Sequence, residues 1–274
     1  MSNLEASYNL ILNNLREISG IEDFYFKPIK PKLSDIELIS LVILAEFKSI
    51  DSEHQLFREI KGFEIGPNIE RSVYNRRKRK LFPFIEEIRM KMVDKLNESE
   101  NYFIVDSMPL EVCKISRSFR SKICKDVDYA YPNKGFCASQ NLHFYGYKLH
   151  AVCSISSVFQ SFDISPASVH DIHYLQDIKL QMSDCVLLGD KGYLSQTIQL
   201  DLFKEVNIEL ETPKRKNQKD YKPQFYQFKK YRKRIETLFS QLCDQFMIRR
   251  NYAKTFEGFK TRILAKITTL TTIQ

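Results

Sequence analysis

FIVDSMPL, residues 103–110, is where the pattern of the chain changes. Before it, apolar residues recur at three- and four-residue steps. Here Phe103, Ile104 and Val105 form a short continuous apolar run, the mark of a buried strand, which closes on a carboxylate, Asp106. Residues 143–155, HFYGYKLHAVCSI, are rich in aromatic and β-branched side chains, and after Ser156-Ser157 the run VFQSFDI (158–164) reads as a hairpin partner. Ser168 and Asp171 make an S-x-x-D box expected to open a helix over HDIHYLQDI. Val186, Leu187 and Leu188 form a further strand that runs through Gly189 into Asp190, repeating the arrangement at Asp106, and Lys191-Gly192-Tyr193 turns the chain into another helix. NIELET (207–212) is the next strand, followed by a basic loop and a helix over about 224–247. Strands and helices therefore mix from residue 99 onward, as in an α+β or α/β domain.

Residues 1–98 read differently. Ser34 and Glu37 form an S-x-x-E capping box ahead of Ile36, Ile39, Leu41, Val42 and Leu44, which predicts a largely buried helix. A second helical stretch follows at about 52–61, then a break at Gly62 to Pro67. Residues 68–80, NIERSVYNRRKRK, carry a run of cations, Arg71, Arg76, Arg77, Lys78, Arg79 and Lys80, and Pro83 opens an apolar stripe of Phe84, Ile88, Met92, Val93 and Leu96. A small all-helical domain over 1–98 is expected, with the 76–80 cations placed for a helix-turn-helix-like reading of DNA.

The 274 residues carry 42 Lys and Arg against 34 Asp and Glu, a net charge of +8. Residues 1–98 are neutral, so all of the excess lies in 99–274. Ten cations stand between 214 and 234, including Lys214, Arg215, Lys216, Arg232 and Lys233, against the single acid Asp220. Such a block is the footprint of a protein that neutralises phosphates. The six cysteines are scattered without a C-x-x-C pair, so reduced thiols are expected rather than a disulfide framework or zinc ribbon. No apolar run is long enough for a membrane span and MSNLEASYNL lacks a signal-peptide profile, so no membrane association and a cytoplasmic setting are expected.

On the last helix, Ile235, Leu238, Phe239, Leu242 and Phe246 fall on one stripe, with Glu236 at its margin. Three acids, Asp106, Asp190 and Glu236, thus stand at the end or border of apolar elements. Hard oxygen ligands held in this way suit two Mg²⁺ ions about 3.5–4 Å apart, which polarise a phosphodiester and activate a water or a 3′-hydroxyl. Each acid alone has a plainer reading: a strand-terminal Asp caps turns, and Arg232 to Glu236 is an ordinary i,i+4 pair. His143, Tyr145, Tyr147 and His150 read as packing, His170 as a cap, and His170 with His173 lacks the further ligands a zinc site needs.

FIVDSMPL, LLGDKGYLS and YRKRIETLFSQL, spaced so that 84 and 46 residues separate the three acids, resemble the acidic motifs of DDE-type bacterial insertion-sequence transposases, in a layout similar to the insertion-sequence-982 family. The resemblance implies a ribonuclease-H-like mixed-sheet catalytic domain over 99–274, and Asp106, Asp190 and Glu236 as catalytic and metal-binding residues. Asp106 would bridge two Mg²⁺, Asp190 and Glu236 would hold one each, and Mn²⁺ would substitute. It also implies cleavage of double-stranded DNA at terminal inverted repeats, joining to target DNA, and a homodimer or larger assembly on paired ends in a bacterial, nucleoid-associated setting. Lys191 and Arg232 are expected phosphate clamps.

A related group of these enzymes has a tyrosine and an arginine ahead of the glutamate and a lysine seven residues after it. Arg232 fits the arginine; Lys229 and Cys243 stand in the other two places. Two alternatives stay open at this level: a non-transposing nuclease on the same core, and a DNA-binding derivative without cleavage.

Overall fold

The structure, a computed structural model, describes residues 3–63, 68–214, 221 and 223–274. It divides into two compact units, one of Met1–Lys95 with Leu242–Gln274 and the other of Leu96–Gln241.

The first unit is helical: α1 (Asn3–Ser19), α2 (Asp35–Phe47), α3 (Glu53–Glu59), α4 (Arg71–Lys80) and α5 (Phe82–Leu96, whose last residue falls in the other unit), with the final helix of the chain. The expected capping box starts α2: Glu37 N–H donates to Ser34 Oγ at 3.2 Å, and Ser34 N–H donates to Glu37 Oε2 at 2.7 Å. Ile36, Leu38, Ile39 and the run Leu41–Leu44 are all buried, so α2 is enclosed on every side. The final helix, Phe256–Thr272, packs against it. Its Lys266 is fully buried and donates to Glu46 and to the Phe246 carbonyl. Residues 242–274 belong to this helical unit, where the buried Lys266 of an apolar helix meets the Glu46 carboxylate.

The second unit holds six strands, β1 (Tyr102–Cys113), β2 (Asn133–Cys137), β3 (Leu142–Ser154), β4 (Phe159–Pro166), β5 (Cys185–Leu188) and β6 (Ile208–Glu211), with helices α6 (Tyr174–Lys179), α7 (Gln196–Val206) and most of α8 (Tyr226–Asp244). Counting the final helix as α9, the chain alternates as expected. The sheet order is β4-β3-β1-β5-β6, in which β1, β3 and β4 are antiparallel neighbours while β5 and β6 run parallel to β1. This is the ribonuclease-H-like mixed sheet. β2 continues the β4 edge of β3, pairing with Leu142–Gly146 where β4 pairs with residues 147–153. One face of the sheet buries Phe103, Val105, Val152 and Leu187 against Tyr174, Leu175 and Ile178 of α6 and Leu202 of α7. Rings of α8 meet Tyr102 and Phe159 at centroid distances near 6 Å, 6.1 Å for Tyr231 and 6.3 Å for Phe239.

Two expectations are corrected. The first strand does not stop at Asp106 but continues to Cys113 through Pro109. β5 accompanies β1 only over Tyr102–Ile104, so at Pro109 the strand has lost that neighbour and the missing N–H is tolerated. Ser168 and Asp171 do not form a capping box: Ser168 exchanges hydrogen bonds with Asn133, and His170 Nδ1 caps the short turn ahead of α6 instead.

Candidate active site

The parallel pairing of β1 with β5 ends at Ile104 opposite Leu188. Asp106 and Asp190 each stand two residues beyond that pair, so equal offsets along neighbouring segments about 4.8 Å apart bring the two carboxylates near one another, where β5 has ended and β1 runs on. Asp190 Oδ1 accepts from Gly192 N–H at 2.7 Å and caps the turn Lys191–Tyr193. A Cβ at Gly192 would lie 2.9 Å from that oxygen, so a side chain there would displace the carboxylate. Asp106 Oδ1 accepts from Ser107 N–H at 2.8 Å.

The environment of Asp106 disfavours its charge. Loss of solvent pushes its pKa up to about 7, with the negative charges of Asp190 and Asp171 adding to the rise, while the Ser107 bond and Arg232 oppose it. Tyr193 is buried beside the same carboxylates, its hydroxyl pKa driven well upward, and its Oη lacks a hydrogen-bond partner. Two crowded carboxylates with a neutral oxygen beside them form an all-oxygen donor set short of positive charge. That set fits a divalent cation such as Mg²⁺.

Glu236 is placed differently. It is exposed on α8, next to the buried Ile235, and among the described residues no three His, Cys, Asp or Glu side chains stand close enough to hold a metal. The cation of α8 that acts on Asp106 is Arg232, one turn before Glu236. Lys191, Lys214 and Lys233 are exposed, while Arg215 and Lys216 lie outside the described residues.

Of the α4 cations, Arg76, Arg79 and Lys80 are exposed. Arg77 and Lys78 are buried, which corrects their assignment as DNA-facing. Arg77 donates to Asp35 and the Leu33 carbonyl at 2.8 and 2.9 Å, and Lys78 donates to Glu53 at 2.9 Å, so both are taken up by acids, the buried Asp35 and the half-buried Glu53.

Asp171 was legible only as a helix cap. It receives Lys148 Nζ at 2.9 Å and stands 3.9 Å from His150 Nδ1. His150 is buried, hydrogen-bonded through Nε2 to Ser165 Oγ at 2.7 Å and stacked on Tyr174; burial pushes its pKa down to about 4, so the ring is neutral. The reading of His150 as packing holds, but its nearness to Asp171 could not be found in the sequence, where the two residues belong to separate elements.

A family model described as a transposase DDE domain matches residues 98–272. The chain belongs to the DDE transposase domain family. The match does not extend to the narrower insertion-sequence-982 group. Comparison with curated proteins finds no match. Among solved structures, this DDE-family chain is similar to one described as the Mos1 transposase paired-end complex with left transposon end, at 12% identity, covering 92% of this chain and 82% of that chain, with a TM-score of 0.25. Among the described residues, no helix of this family member is long and apolar enough to cross a membrane.

Proposed function

We propose that the chain cuts double-stranded DNA at insertion-sequence ends and joins the freed 3′ ends to target DNA. The observation that carries this reading is the closeness of Asp106, within β1, to Asp190, just past the end of β5, in a chain of the DDE family. Asp106 and Asp190 would hold Mg²⁺, or Mn²⁺ in its place, with Glu236 as the third acid that the family pattern assigns. When bound, two such ions supply activation of a water or 3′-hydroxyl and stabilise the leaving oxygen.

The chain's own residues do the rest. Arg232 and Lys191 bind the phosphate flanking the scissile bond, and the Gly192 N–H bond fixes the Asp190 carboxylate. Tyr193, neutral and enclosed, keeps bulk water from the rear of the carboxylate pair. Acting on two ends at once calls for two copies of the chain.

A pre-cut transposon end incubated with supercoiled target plasmid and Mg²⁺ tests the proposal. Joined product is expected from the parent protein and none from Asp106→Asn. Hydrolysis without joining would replace it by the nuclease reading, and salt-sensitive binding with no cutting in any divalent metal would replace it by the DNA-binding derivative.

A further inference from the structure

Residues of α4 share a cleft with a segment far away in sequence. Arg71, Asn75 and Arg79 recur at four-residue steps along one face of α4, and opposite them stand Tyr252, Lys254 and Thr255 of the connection into α9; together they bound a space of about 540 Å³. The acids of this cleft are already matched. Glu53 is held by Lys78 at 2.9 Å and by Asn75 at 2.7 Å, with Arg71 3.8 Å away, and Asp51 stands 3.6 Å from Arg262. Arg79 and Lys254 are exposed, so the cleft presents surplus positive charge, and the exposed ring of Tyr252 borders it.

We infer that this cleft is a binding site for the sugar-phosphate backbone of duplex DNA, built jointly by α4 and residues 252–255, and separate from the carboxylate pair. Guanidinium and ammonium groups on two walls suit successive phosphates, with the arginines able to bind phosphate oxygens through two N–H groups. From Arg71 to Arg79 the helix rises about 12 Å, enough to follow more than one phosphate of a strand. Burial of Arg77 against Asp35 fixes which face of α4 is offered. The same volume exceeds what one free phosphate ion fills, which favours a chain of phosphates as occupant.

The choice of duplex DNA rests on the function proposed above, so the test withholds metal and separates binding from catalysis. Equilibrium binding of the full chain to a labelled 30-base-pair duplex is measured in EDTA over a salt series. Arg79→Ala and Lys254→Ala are each expected to weaken binding several-fold, uniformly across duplex sequences, and to reduce the log–log salt slope by about one. Lys95→Ala, an exposed cation of α5 outside the cleft, is expected to leave the slope unchanged. Matching thermal melts show that the variants fold, and Lys254→Gln gives a second removal of the same charge. Loss with Arg79→Ala but with neither Lys254 variant overturns the joint cleft, as do unchanged slopes in all of them. A loss seen for duplex RNA but not for duplex DNA overturns the choice of ligand. If the slopes change as expected while the parent never cuts DNA, the site stands and the catalytic reading falls.

Discussion

Asp106 carries a conflict that a metal would resolve. An acid whose folded pKa is raised binds more protons folded than unfolded, so between the ordinary carboxylate range and about pH 7 the folded state loses stability as pH rises, and above pH 7 the loss is complete. Asp106→Asn removes that penalty. We expect it to raise the melting temperature at pH 8, by a stabilisation of about 1–3 kcal/mol, while abolishing cleavage; an unchanged or lowered melting temperature would show that the carboxylate is not strained. The same shift sets the pH dependence of the reaction. Since the ionised carboxylate is the ligand, cleavage at fixed Mg²⁺ should fall as pH drops through about 7, and the midpoint should move to lower pH as Mg²⁺ is raised. A rate flat from pH 6 to 8 at limiting Mg²⁺ would contradict it. Asp106 and Asp190 stand out in the sequence because both follow apolar runs. Residue identity could not sort the α4 cations, since nothing in NRRKRK tells that Asp35 and Glu53 will claim the middle two.

At the scale of elements, β1 and β3 form the spine on which the site is mounted. Register over their length depends on the irregularity between Glu111 and Cys113, opposite Gly146. Gly146 has φ of 157°, and a Cβ there would sit 2.1 Å from the Leu110 carbonyl oxygen. Gly146→Ala should therefore destabilise the sheet by about 2–4 kcal/mol, read as a shift of the urea midpoint, because no flexible side chain can move aside. A midpoint within 0.3 kcal/mol of the parent would show the backbone yields. The α2 cap, the 158–164 hairpin partner and the 186–188 strand were legible from turn residues and spacing. The full length of β1 was not, because Pro109 reads as a stop unless one knows that β5 has already ended.

At the scale of the molecule, the chain passes from one compact unit to the other after Lys95 and returns to the first at Leu242. Long-range pairing of Lys266 with Glu46 across 220 residues leaves no trace in local pattern, which is why 242–274 read as part of the sheet domain. Lys266→Ala should strand a buried carboxylate and destabilise the helical unit by about 3–5 kcal/mol in thermal melts. Retained stability there would mean Arg262, 3.6 Å from Glu46, suffices as partner.

Direct titration of Mn²⁺, followed by its electron paramagnetic signal, tests whether the Asp106 and Asp190 carboxylates hold the metal that the proposed chemistry needs. The parent chain at pH 8 should take up the ion, with Asp106→Asn and Asp190→Asn each weakening uptake at least tenfold. Equal uptake by the parent and both variants would contradict the account.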